Sequence, residues 1–153
     1  MTLFELLLTL HILSAATWFG SSMALNAMGT RALKADRVAF SSVTLNANAW
    51  ASKAHPASGV LLLLTGFGMV GDADLSFGEP WIIIALVGLF AAMGVGGALI
   101  GRTSDATVKS IAANGGTLPE ADLPLARKLL TYSRVELAIL LIVIADMVIK
   151  PGA

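Results

Sequence analysis

The sequence contains no cysteine, which excludes thiolate metal centres, disulfide exchange and a disulfide-stapled fold. It is also poor in charge: Asp, Glu, Lys and Arg make up 13% of its 153 residues, about half the share of a soluble domain. The ten basic side chains cancel the ten acidic ones, so net charge gives no reason to expect nucleic acid. There is no phosphate-binding glycine loop, no Ser-His-Asp arrangement and no His-Glu-x-x-His zinc helix. What the chain has is apolar mass, 56% of residues with a mean hydropathy of +0.81. That balance excludes disordered and collagenous chains and points to a membrane.

Four stretches are long enough to cross a hydrocarbon core about 30 Å thick, which takes about 20 helical residues. Between Glu5 and Arg31 the only titratable side chain is His11. Residues 54–71 and 80–101 carry no formal charge. The fourth stretch, about Tyr132 to Ile149, holds Arg134, Glu136 and Asp146 within an otherwise apolar run. Backbone groups in lipid must bond within their own segment, so the expectation is an all-α, single-domain, four-transmembrane-helix bundle. Ser14-Ala15-Ala16 resembles a signal-peptidase site, but the segment before it lacks a basic start and contains Glu5, which favours an uncleaved first helix.

Nine of the ten cations fall in residues 29–53 and 102–134, while Glu5, Asp72, Asp74 and Glu79 lie on the opposite side with Lys150 as its only cation. The positive-inside rule then puts loops one and three in the cytoplasm and both termini outside. Residues 37–50 have no Gly or Pro, so helix two is expected to begin near residue 38 and project into the cytoplasm. Helix three can run past Arg102 to Asn114-Gly115-Gly116, and Thr117-Leu118-Pro119-Glu120 matches a capping box for helix four, starting within 118–124. Pro56 interrupts the hydrogen-bond ladder of helix two.

Close backbone contact through small residues drives helix association in lipid. Gly88, Ala92 and Gly96 form one such ridge on helix three, with Gly97 and Gly101 beside it. The facing seam is expected from His55, Gly59 and Gly66 on helix two and from His11, Ala15, Trp18 and Ser22 on helix one. Helix three is also the expected surface for a homo-oligomer.

Ionisable residues within a bilayer are functional candidates by default. His11, Trp18 and His55 are candidates for holding a cofactor, and Glu136, Asp146 and Lys150 for handling protons or ions. His11 lies about 12 Å below the outer boundary, and the two histidines about 13 Å apart along the normal, too far to share one haem iron. Asp146 and Lys150, four residues apart, form a plausible interfacial ion pair, with Lys150 reaching outward. In a sharper alternative Asp146 orients His11 in an outward-facing polar pocket. Glu136 is expected to pair with an Arg or Lys from loop one.

Leu10-His11-Ile12-Leu13-Ser14-Ala15-Ala16-Thr17-Trp18-Phe19-Gly20, the run Pro56 to Gly66, Trp81 and the closing Ala145-Asp146-Met147-Val148-Ile149-Lys150-Pro151-Gly152 resemble an uncharacterised bacterial family of integral membrane proteins with a domain of unknown function. The resemblance covers nearly the whole chain and implies the four-helix fold and a bacterial inner membrane, without an activity. The opening Leu-His is similar to the copper-resistance protein D family. The early His and late Lys-Pro are distantly similar to the membrane protoporphyrinogen oxidases, although Arg134-Val135-Glu136 stands where that family has an Asn-Glu pair followed by Pro. Three readings are therefore carried forward. They are a small binding or accessory module, a haem-binding redox protein using His11 with haem b as the candidate cofactor, and a metal-ion or proton transporter with an outward pocket at His11 and Asp146.

Overall fold

A computed structural model describes residues 1–151, so Gly152 of the closing motif lies outside the described residues. Helix α1 spans Leu3–Ala35, α2 Arg37–Asp72 and α3 Pro80–Gly94. Helix α3 continues through a π-helical segment, Val95–Gly101, into α4, Arg102–Ala113, and α5 spans Leu123–Ile149. No strand occurs among the described residues.

Local chemistry sets the ends. Thr2 and Glu5 form a reciprocal capping box, Oγ1 accepting from Glu5 N at 3.1 Å and Oε2 accepting from Thr2 N at 2.8 Å. Asp36 alone separates α1 from α2. Its N–H donates to the Ala32 carbonyl and its Oδ1 accepts from Ala39 N at 2.7 Å, so one residue closes one helix and opens the next. The result is a tight antiparallel hairpin. With 33 and 36 residues its arms are about 50 Å long, some 20 Å more than a hydrocarbon core.

The surplus length lies at the basic end. There Ala32, Phe40, Ile111, Leu118, Ala126 and Leu130 form a core of their own, capped by α4 and the first turns of α5. Ser41 Oγ accepts from Leu118 N at 2.9 Å and ties the 114–122 connection to α2. Gly115 and Gly116 adopt positive φ, +66° and +92°, and end α4 where expected. The expected capping box at Thr117–Glu120 does not form. Glu120–Asp122 makes a 3₁₀ turn, the Asp122 carboxylate accepts from Ser110 on α4, and the helix starts at Leu123.

The mid-bundle core joins Trp18, Leu62, Leu89, Ala92 and Leu140, and the acidic end closes over Val70, Trp81 and Ile82. The ridge on α3 is spent inside the chain. A Cβ on Gly88 would collide with Val143, Ala92 is fully buried, and a Cβ on Gly96 would stand 2.8 Å from Glu136 Oε1. Gly97, by contrast, has open space before it. Large apolar side chains point outward on every long helix, among them Leu13, Leu64, Val87 at 65% and Ile142 at 63% exposed, the inverse of a soluble protein. Three helical stretches, Leu3–Ala35, Arg37–Asp72 and Pro80–Ala113, are long and apolar enough to cross a membrane. Arg134, Glu136 and Asp146 keep α5 out of that class.

Candidate functional site

Two polar rungs join α1 to α2. His11 Nδ1 lies 2.8 Å from Thr65 Oγ1, and Ser21 Oγ lies 3.0 Å from His55 Nε2. Each rung pairs one histidine with a hydroxyl of the other helix, and the antiparallel register separates them by ten residues, about 15 Å. The imidazoles therefore do not converge on one ion, in line with the spacing inferred from the sequence. Gly59 and Gly66 allow the close approach: a Cβ on Gly59 would stand 3.2 Å from the Trp18 ring, and one on Gly66 3.5 Å from His11 Cε1.

At the level of the Ser21–His55 rung lies the one carboxylate of the mid-bundle. Glu136 is 2% exposed, Trp18 Nε1 donates to its Oε1 at 3.3 Å, and Ser22 Oγ donates to its Oε2 at 3.2 Å. The other face of this cluster is aromatic, with Trp18 stacked on His55 at 6.3 Å between centroids and Trp50 set edge-on to His55 at 5.9 Å. Trp18 thus links an imidazole of α2 to a carboxylate of α5. The expected cation partner for Glu136 is absent. Arg31, the nearest loop-one cation along α1, is nine residues beyond Ser22, about 14 Å along the axis, and Arg134 donates instead to Thr30 Oγ1. The π-helical segment lies at the same level, and such segments recur at functional sites. Its Gly96 leaves the carboxylate room.

Toward the acidic end the four long helices and the 73–79 turn line an open cavity of about 570 Å³, walled by Leu8, His11, Trp18, Phe67, Trp81 and Lys150 among mostly apolar side chains. The expected pair between Asp146 and Lys150 is not formed. Helix α5 stops at Ile149, Lys150 takes a left-handed conformation (φ 47°), and its ammonium lies 5.1 Å from the Trp81 ring centroid. Asp146 is 8% exposed and neither carboxylate oxygen has a hydrogen-bond partner. It does not orient His11, a task that falls to Thr65.

The structure thus brings Trp18, His55 and Glu136 together, sets His11 and Lys150 on the cavity, and leaves Asp146 apart. Ser21 and Thr65 were not singled out from the sequence; their signal is a hydroxyl ten residues from the helix's own histidine, on the same seam. No group of three or more His, Asp or Glu able to hold a metal occurs among the described residues.

A family model described as "Predicted integral membrane protein (DUF2269)" matches residues 5–151. Neither the curated proteins nor the solved structures provide a match.

Proposed function

The chain belongs to this family of predicted integral membrane proteins, and from that premise we propose that it is a small binding module of the bacterial inner membrane, holding an apolar molecule taken from the bilayer. The observation that carries this reading is the cavity of about 570 Å³, a volume within the range of small-molecule sites. Its lining is apolar, and His11 and Lys150 are its ionisable members. The protein crosses the membrane four times, α5 included, because that helix exposes Leu141 and Ile142 while turning Glu136 and Asp146 inward. The basic end faces the cytoplasm, and both termini are outside.

The test is a titration of the purified protein in nanodiscs with fluorescent apolar probes, paired with Ala85→Phe, which fills the cavity from α3. Saturable binding lost in the variant supports the reading. Binding that survives the filled cavity, or no saturable binding at all, sinks it.

A second reading rests on one nitrogen. Thr65 is the only side chain hydrogen-bonded to His11 among the described residues, through Nδ1, and Nε2, on a residue lining the cavity, is the nitrogen that would hold the iron of a haem b. Protein purified in mild detergent that shows a Soret band in the parent, absent from His11→Ala, would favour it; titration with haem that leaves the absorption spectrum unchanged removes it.

A further inference from the structure

Resting on the cavity reading above, we infer that the molecule held there is a membrane-soluble alcohol whose hydroxyl donates to His11 Nε2. The argument is one of counting protons. Thr65 has a single hydroxyl hydrogen and two carbonyls of its own helix within reach, Leu61 at 2.6 Å and Leu62 at 3.3 Å, and the shorter contact assigns the hydrogen to Leu61, one turn back on α2. With the hydrogen so assigned, Oγ1 accepts from His11 Nδ1, 2.8 Å away, and Nδ1 carries the ring proton. In a neutral imidazole the second nitrogen then has none. Nε2 presents a bare lone pair.

That lone pair is accessible. The only side-chain atoms both sealed from solvent and unpartnered among the described residues are the two oxygens of Asp146, so Nε2 is not sealed. The Cε1–Nδ1 edge of the ring faces α2 at Gly66, Nε2 stands farther from that backbone than either, and His11 lines the cavity. An acceptor on an apolar wall selects a donor. An ether or ketone of the same skeleton would set a second acceptor against it, and a hydrocarbon chain would leave it desolvated and unpaired, a loss worth a factor of ten or more.

Depth narrows the class further. His11 is eight residues into α1, about 12 Å from its outer end. Phospholipids and ionised fatty acids keep charged heads at the interface and offer no donor at that depth. A hydroxyl is polar enough to pair with Nε2 and weakly enough hydrated to be carried in on an isoprenoid or alkyl body.

The experiment compares farnesol with its methyl ether in phosphatidylcholine nanodiscs, each normalised to partitioning into empty discs, with intrinsic fluorescence as readout because Trp18 and Trp81 both line the cavity. Farnesol is expected to bind at least about tenfold tighter than the ether. His11→Phe should abolish that preference while both probes still bind, and Thr65→Val, which frees the tautomer, should narrow it. Comparison in the parent protein needs no variant, so a misfolded His11→Phe does not block the test. Equal binding of the two probes overturns the inference and leaves the cavity reading standing. So does tighter binding of farnesoic acid that depends on Lys150. Saturable binding of neither probe overturns both.

Discussion

Glu136 is a carboxylate held in mid-bundle by two uncharged donors, and the cost of removing either follows from what is left behind. Trp18→Phe or Ser22→Ala strips one oxygen of its partner at a side chain only 2% exposed, so each should lower stability by about 1–3 kcal/mol in detergent unfolding. Gly96→Ala acts on the same atom from the other side, because the added Cβ would press on Oε1 at 2.8 Å. In an Glu136→Ala background that press disappears, and a double-mutant cycle should show most of the Gly96→Ala penalty gone. A penalty unchanged in that background would mean that Gly96 is needed for the π-helical segment itself. Asp146 behaves oppositely. With no partner to lose among the described residues, Asp146→Asn should leave thermal stability unchanged or raise it, since it removes a buried carboxyl that none of them satisfies. A fall of several degrees would reveal a partner supplied from outside the chain. The sequence marks Glu136 and Asp146 alike as intramembrane acids. What separates them, two donors on α1 against none, depends on side-chain directions that spacing along one helix cannot supply.

Helix α3 shows how far a pattern reads and where it stops. Small residues four apart announce a surface made for close approach, and Gly88, Ala92 and Gly96 are such a surface. Its partner is not written in the pattern: the ridge that suits a second copy equally suits α5, and α5 fills it with Val143 and Glu136. Gly88→Leu should therefore disrupt the monomer, with a loss of about 1–3 kcal/mol or more from overpacking, whereas Gly97→Ala, facing open space, should be silent in thermal melts. If Gly97→Ala instead splits a dimer on size-exclusion chromatography, the free face of α3 is the oligomer surface. Helix ends divide the same way. Gly115-Gly116 stopped α4 as local chemistry requires, because positive φ is intrinsic to that position. In place of the box at Thr117–Glu120 the chain makes a 3₁₀ turn whose Asp122 accepts from Ser110 on α4, a tertiary contact that a local motif cannot anticipate. The ion pair between Asp146 and Lys150 failed because α5 ends one residue before Lys150, and spacing of four means proximity only inside a helix.

At the scale of the whole molecule, charge is sorted along the bundle while packing is graded in the same direction. The basic end holds nine of ten cations and a closed core around Phe40 and Ile111; the acidic end holds the cavity. Both arms of the α1–α2 hairpin are longer than a hydrocarbon core is thick, and the basic end is packed around polar connections, so the proposed membrane-embedded part is the half with the cavity. Orientation then decides which compartment the cavity opens toward, and the chain offers a direct way to read it. Because it contains no cysteine, a single introduced thiol has no background. Ser76→Cys lies in the acidic turn between α2 and α3, and Asn114→Cys caps α4 at the other end, both away from the buried cores. In intact spheroplasts a membrane-impermeant maleimide should label Ser76→Cys at once and Asn114→Cys only after permeabilisation. The reverse pattern would invert the topology and open the cavity to the cytoplasm. Labelling of both from one side would require an odd number of crossings between residues 114 and 76 to be abandoned, and with it the placement of α3 across the bilayer.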